Sequence, residues 1–136
     1  RLPFRGEMTA LSALAGDASN RRYFRIALNG TPSALILMQL ADPEGFKKSE
    51  EAVSGASAQI AELPFTNVLT HLQRTGVTVP TLHYFDREAG LLYLEDFGDL
   101  TLAEACRHAD RATLETLYRQ AIDQLVLLLA ILCAAW

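Results

Sequence analysis

Two adjacent arginines, Arg21 and Arg22, follow a loop of small and polar residues at positions 16–20 and begin an extended run. Small side chains let a backbone come close to a ligand, and the N–H groups of such a loop can point at an anion. Arginine adds a planar, permanently charged guanidinium that suits phosphate oxygens. Ser19 and Asn20, together with the two arginines, are therefore candidates for a phosphate site. A polar hairpin turn with solvent-facing arginines would give the same pattern.

Composition and charge limit the class of protein. Of the 136 residues, 50% are hydrophobic and 21% are charged, which is typical of one globular domain or part of one. The net charge of −4 argues against a general nucleic-acid binder, so an anion site must be local. Cys106 and Cys133 are too few for a disulfide framework, and no Cys/His cluster indicates a metal. The amino-terminal segment lacks the apolar core of a signal peptide, which favours a cytoplasmic protein.

The spacing of apolar residues predicts the elements that must position these arginines. The predicted strands are Thr9–Leu14, Tyr23–Leu28, Ala34–Leu40, Thr81–Phe85 and Leu91–Glu95; the predicted helices are a segment from about residue 45 to 61, a segment from Pro64 to a stop at Gly76, and a long segment through Leu114–Leu132. Asn29-Gly30 is a strong hairpin signal. The first three strands are therefore expected to be antiparallel neighbours.

The alternation of side chains along the second predicted strand separates the two arginines. Successive residues of a strand point to opposite faces, so Arg22 shares a face with Phe24 and Ile26, whereas Arg21 lies on the other face. Only one of the two arginines is therefore expected to face a ligand, and we predict that it is Arg22.

The last segment of the sequence, residues 125–136, contains no charged residue. It is much shorter than the roughly 20 residues that span a bilayer, so no membrane partner is expected. It continues a helical pattern but becomes apolar on all sides, which requires protein on every side of the helix. Because the sequence also lacks an initiating Met, we expect the chain to be part of a longer protein.

Three segments in a fixed order carry a resemblance to a known family: LAGDASNRRYFRI, ALILMQLADPEG and GVTVPTLHYFDREAGLLYLEDFGD. Together they resemble the aminoglycoside phosphotransferase and choline kinase superfamily, and most of all the anomeric sugar kinases that phosphorylate N-acetylmuramate and N-acetylglucosamine. The similarity runs from about Leu14 to Leu129. It implies an α+β fold: a protein-kinase-like N-lobe with a five-stranded antiparallel sheet and a helix at 1–95, a hinge at 96–99, and the first helices of an incomplete C-lobe at 100–136.

The resemblance also implies a site and its cofactors. The loop before Arg21 would cover the phosphates of ATP, with Mg²⁺ held elsewhere. The segment Leu94–Phe97 would be the hinge, where the backbone reads the edge of adenine through the carbonyl of Glu95 and the N–H of Phe97. The implied reaction transfers the γ-phosphoryl group to a hydroxyl of a small molecule, which here would be a sugar. An ordinary strand end before a turn would give the same hinge pattern.

Two departures from the family pattern affect the catalytic groups. The usual lysine of the third strand falls at Met38, and its glutamate partner falls near Phe65, so an apolar contact would replace an ion pair. His108-Ala109-Asp110 fits the first half of the catalytic loop His-x-Asp-x-x-x-x-Asn, but the fifth residue after Asp110 is Glu115. We interpret Asp110 as a helix N-cap. The general base and the metal ligands are therefore expected outside these 136 residues, and the chain alone is predicted to be inactive.

Three functions stay open at this point. The first is a sugar kinase, and the second is a kinase for an aminoglycoside, choline or another amino alcohol. The third is a kinase-like fold that binds a nucleotide or a partner protein without catalysis, which the missing lysine favours. His71 and His83 are interpreted as structural or solvated residues rather than ligands. A complete catalytic loop and a later acidic metal motif downstream would indicate an enzyme.

Overall fold

A computed structural model describes residues 6–15, 21–40 and 64–134, with residues 64 and 131–134 described by backbone only, and shows an α+β fold. The strands are β1 (Met8–Ala13), β2 (Arg21–Leu28), β3 (Ala34–Leu40), β4 (Leu82–Asp86) and β5 (Leu91–Glu95); the helices are α1 (Pro64–Arg74), α2 (Leu102–Arg107) and α3 (Arg111–Ala134). All five strands form one sheet in the order β1-β2-β3-β5-β4, and all neighbours are antiparallel. The five-stranded antiparallel sheet is therefore confirmed. The bounds of β3 and β5 are as predicted, and those of β1, β2 and β4 differ by one or two residues. The helix expected over 45–61 lies outside the described residues.

The hairpin that Asn29-Gly30 predicts is present between β2 and β3. The Leu28 N–H donates to the carbonyl oxygen of Ser33 at 2.8 Å, so the connection is longer than a two-residue turn. Asn29 also contacts the start of β1. Its side-chain oxygen accepts from the N–H of Glu7 at 2.6 Å, and its own N–H donates to the Glu7 carbonyl at 3.1 Å. One asparagine thus connects the hairpin loop to the edge of the sheet.

One face of the sheet carries Met38, and we call it the Met38 face. Tyr23 lies opposite Met38 on β3, and Met38 lies opposite Leu92 on β5. Neither Met38 nor Leu92 has any exposed surface. Since alternate residues of a strand share a face, Arg21 and Arg25 of β2 also lie on the Met38 face.

The opposite face, which we call the Tyr93 face, contains a cluster of buried aliphatic residues. Its buried members are Ile26, Leu28 and Leu35, with Leu37 and Tyr93 packed against them. The Tyr93 ring also lies 5.9 Å from the ring of Tyr84, centroid to centroid. Burial, followed by the charge of Asp86, raises the pKa of the Tyr93 hydroxyl. Arg22 lies on this face and is exposed.

The helix α1 begins at Pro64 and ends before Gly76, as predicted. Gly76 has a φ of +82°, which favours glycine, and its N–H donates to the Gln73 carbonyl at 3.2 Å. The Val77 N–H donates to the Leu72 carbonyl at 3.1 Å, which completes a Schellman motif. Leu69 of α1 is buried.

Side chains cap the two following helices. The Thr101 hydroxyl accepts from the Glu104 N–H at 3.2 Å at the start of α2. The Asp110 Oδ1 accepts from the Thr113 N–H at 2.8 Å at the start of α3, so the interpretation of Asp110 as an N-cap is confirmed. This hydrogen bond lowers the pKa of the Asp110 carboxyl.

The chain divides into two compact units. The first, Arg1–Leu63 with Pro80–Asp96, contains the five strands, and we call it the sheet unit. The second, Pro64–Val79 with Phe97–Trp136, contains α1, α2 and α3, and we call it the helical unit. The division expected at 96–99 stays a prediction. Among the helices that the structure describes, none is both long enough and apolar enough to cross a membrane.

Candidate functional site

The end of β5 is held by Glu95 against the residue that precedes β4. The Glu95 N–H donates to the Thr81 carbonyl at 2.8 Å, and the Thr81 N–H donates to Glu95 Oε2 at 3.0 Å. The Thr81 N–H stabilises the ionised carboxylate and so holds the pKa of Glu95 below its ordinary value of 4.5. Both the backbone and the side chain of Glu95 are therefore fixed by one neighbour.

Asp96, the next residue, is held by Arg25 of β2, which lies in the opposite direction across the sheet from β4. The Arg25 Nε donates to Asp96 Oδ2 at 2.6 Å, and the Arg25 Nη2 donates to Asp96 Oδ1 at 3.1 Å. Two parallel bonds of this kind are the strong, directional form of an arginine–carboxylate pair. The Asp96 side chain is only 8% exposed and that of Arg25 is 24% exposed. Because β3 separates β2 from β5, the ion pair spans three strands.

Sequence reasoning did not identify Arg25 as a site residue. A half-buried arginine on a strand requires a partner for its charge, and this is the signal that its position carries. The identity of the partner depends on the pairing of β2 and β5 with β3, and Asp96 is 71 residues away in the sequence. The adjacent carboxylates Glu95 and Asp96 have different partners and do not form a joint acid–base pair.

The two arginines of the predicted phosphate site lie at the first two positions of β2. Arg21 lies opposite Leu40 and is half-buried, whereas Arg22 lies opposite Gln39 and is exposed. The predicted alternation is therefore confirmed, and the arginine that faces a ligand stays a prediction. Ser19 and Asn20 lie outside the described residues.

The register of β3 fixes the spacing between the two predicted contact regions. Arg21 lies opposite Leu40 at one end of β3, and Glu95 lies opposite Leu35 at the other end. At a rise of about 3.3 Å per residue, these positions are roughly 16 Å apart along the strand. The start of β2 and the end of β5 therefore lie beside opposite ends of the same strand, β3.

Three further predicted positions have different environments. Met38 is fully buried in the sheet unit, while Phe65 is half-buried in α1 of the helical unit. The contact between them stays a prediction. Phe97 begins the helical part of the chain after β5, and its side chain is 57% exposed. An exposed side chain at Phe97 is compatible with a contact made by its backbone alone.

The remaining polar candidates do not form a cluster. His71 is exposed on α1, His83 is half-buried in β4, and Cys106 is a half-buried free thiol in α2. Within residues 6–15, 21–40 and 64–130, no three His, Cys, Asp or Glu side chains are placed to hold a metal ion. The ligands of Mg²⁺ are therefore still expected elsewhere, and this expectation stays a prediction.

Comparison of the sequence with known protein families finds no matching family, and no curated protein gives a significant match. The arguments about function therefore depend on the residues and on the geometry of the sheet.

Proposed function

We propose that this chain is the ATP-binding part of a small-molecule kinase, with a kinase-like N-lobe and a sugar as the phosphoryl acceptor. The observation that supports this most is the register of β3, which relates Arg21 at one end to Glu95 at the other. An adenine nucleotide has a base at one end and anionic phosphates at the other. The sheet offers a backbone segment for the base and a guanidinium for the phosphates at two separate ends.

The end of β5 is the proposed base site. The hydrogen bonds between Glu95 and Thr81 use the N–H and the carboxylate of Glu95, not its carbonyl oxygen. That carbonyl would accept from the amino group of adenine, and the N–H of Phe97 would donate to a ring nitrogen. The Glu95 backbone is suited to this task because its hydrogen bond to Thr81 at the end of the sheet fixes its position before the ligand binds.

The start of β2 is the proposed phosphate site, and the register favours Arg21 over Arg22 there. Arg21 lies on the Met38 face, which is the face where the resemblance would place the phosphate-binding lysine of a kinase. Arg22 lies on the Tyr93 face with the aliphatic cluster. We therefore assign the phosphate contact to Arg21, in place of the Arg22 that strand alternation alone suggested.

ATP would supply the phosphoryl group, and Mg²⁺ would neutralise its charge through ligands outside the described residues. The chain's own residues would bind and orient the nucleotide so that an acceptor hydroxyl attacks in line. In phosphoryl transfer, most catalysis comes from such positioning and from charge stabilisation. The 136 residues alone are therefore expected to bind nucleotide without turnover.

A second candidate function is nucleotide binding without catalysis, and one observation favours it. Met38, at the position where the resemblance implies a lysine, is fully buried. A fold that had lost phosphotransfer would tolerate this apolar residue. The discriminating measurement is ADP formation by the full-length protein with a panel of sugars and amino alcohols.

The phosphate assignment is tested by Arg21→Ala and Arg22→Ala in the full-length protein, with the exposed Arg119 replaced by alanine as a charge-matched control. Loss of one hydrogen bond to a charged group costs about 1.5–3 kcal/mol. Calorimetric titration is expected to show this loss for ATP with Arg21→Ala, and no change for adenosine.

Three other results would alter the assignment. If Arg22→Ala alone weakens ATP binding without weakening adenosine binding, the phosphate contact belongs to Arg22 and not to Arg21. Equal losses for ATP and adenosine would mean that the arginine supports the fold. Failure of the unmodified protein to bind ATP would contradict the proposed function.

A further inference from the structure

We propose that Arg25 and Asp96 are a positioning pair that holds the adenine-reading segment in its binding conformation and so determines the preference for adenine. This inference rests on the proposed function. It concerns residues that do not themselves touch the nucleotide, and it assigns a role to an ion pair whose carboxylate is only 8% exposed.

The position of Asp96 in the backbone carries the inference. The Glu95 carbonyl belongs to the peptide unit that precedes the Asp96 Cα, and the Phe97 N–H belongs to the peptide unit that follows it. The φ and ψ angles of Asp96 therefore set the direction of both proposed contact groups relative to each other. Fixing this one residue fixes the pattern of acceptor and donor that adenine would meet.

The sheet itself ends just before this residue. β5 ends at Glu95, whose last ladder partner on β3 is Leu35. Asp96 follows this last paired residue, and its bidentate contact with Arg25 restrains it directly. On the other side, Thr81 holds Glu95 through two hydrogen bonds. The segment is thus restrained from both directions.

Burial makes this restraint specific for arginine. At 8% exposure the Asp96 carboxylate has little contact with water, so it depends on a partner that uses both oxygens. A lysine at position 25 would keep the positive charge but could not offer the planar fork. Arg25→Lys therefore loosens the orientation of Asp96 without removing the opposite charge.

Base preference is the readout that a purely stabilising ion pair would not change. Adenine presents an amino donor where guanine presents a carbonyl acceptor. A rigid carbonyl and N–H discriminate between these bases, whereas a loosened segment can turn its groups to accept either one.

The experiment measures binding to the full-length protein carrying Arg25→Lys, Asp96→Asn or both. The control is Arg111→Lys, which alters an exposed ion pair with Glu115 on α3. Adenosine, ATP, GTP and tripolyphosphate are titrated at a temperature where every variant is folded. Amide hydrogen exchange is followed over residues 95–98 and over the strands.

We expect each single variant to lower the affinity for adenosine and the affinity for ATP by the same factor, about 10- to 100-fold. Tripolyphosphate binding should be unchanged, the preference for ATP over GTP should fall, and exchange should rise over 95–98 alone. The affinity of the double variant should be little lower than that of either single variant, because both substitutions remove the same interaction.

Two results would overturn the inference, and each has a distinct cause. If the unmodified protein binds neither adenosine nor ATP, the proposed function fails and the inference fails with it. If it binds both, but Arg25→Lys lowers only the thermal midpoint and leaves all affinities unchanged, the proposed function stands and the ion pair is merely stabilising.

Discussion

In the sheet unit, Met38 and Leu92 have no exposed surface, whereas in the helical unit Ile122 and Leu129 are 55% and 50% exposed. Among the described residues, every buried apolar side chain except Leu69 belongs to the sheet unit. The long helix α3 instead carries a row of exposed apolar residues at helical spacing, which we call the α3 stripe: Tyr118, Ile122, Leu125, Val126 and Leu129. Both regions have clear apolar periodicity in the sequence. The periodicity alone therefore does not determine which side chains become buried.

The difference between the two regions lies in how their neighbours are arranged. In the sheet, residues distant in sequence pair directly, so β3 is flanked by β2 on one side and by β5 on the other. The side chains of this central strand therefore pack against side chains of two neighbouring strands on the same face. An apolar stripe on a helix gains stability only when another surface packs on it. We expect substitutions in the sheet to cost folding stability, and substitutions in the α3 stripe to change association.

The largest effect is expected for Met38→Lys. The substitution places an ammonium where no surface is exposed, opposite Tyr23 and Leu92. An unpaired buried charge costs about 3–5 kcal/mol unless the side chain reaches water. The free energy of unfolding from urea titration should fall by this amount, and the phosphotransfer activity of the full-length protein should not rise.

Met38→Leu is the matched control for this prediction, since it conserves volume and should cost less than about 1.5 kcal/mol. A rise in phosphotransfer from Met38→Lys alone would indicate a decayed kinase and favour the non-catalytic alternative. If Met38→Lys leaves the free energy of unfolding unchanged, the expected difference between substitutions in the sheet and substitutions in the α3 stripe is wrong.

The second effect is expected in the α3 stripe. We expect the 136-residue chain to self-associate through this surface, because large contiguous apolar patches promote association. Ile122→Glu should weaken that association by about 1.5–3 kcal/mol, the value of burying one such side chain. Sedimentation at several concentrations gives the measurement, and Arg119→Glu on the exposed surface of the same helix is the control. A monomeric unmodified chain at high concentration would contradict the expectation.

A smaller effect concerns pH and the end of β5. The folded state lowers the pKa of Glu95, so the carboxylate contributes stability above the unfolded value of about 4.5 and loses it as the pH falls through the lower folded value. Glu95→Gln removes this titration while it keeps an oxygen for the Thr81 N–H. Thermal midpoints measured from pH 6 down to pH 3 should converge for the two proteins at the acidic end. A constant difference over this range would contradict the assignment.

The fold was predictable where local signals agree. The strand Ala34–Leu40, the start of α1 at a proline and its end before a glycine each have a local physical cause, and both of these elements are present. The Arg25–Asp96 ion pair was not predictable, because it depends on the register of three strands. The faces of the sheet on which Arg21 and Arg22 lie were predictable only in part. Alternation separates them, but only the pairing with β3 shows which one shares a face with Met38.

The smallest effect is expected at the start of α3, where Asp110 caps the helix. Asp110→Ala removes the acceptor for the Thr113 N–H and should raise amide exchange over the first turn of α3, while exchange in the sheet unit stays unchanged. Asp110→Asn keeps the acceptor and is the matched control. The folded state lowers the pKa of Asp110, so the charged cap stabilises above the unfolded value of about 3.8, and its contribution declines as the pH falls through the lower folded value. The unmodified protein should therefore approach the behaviour of Asp110→Asn at low pH. A loss of protection that spreads to β3 would show that the cap stabilises both units together, and the comparison between them would then need to be redrawn around α3.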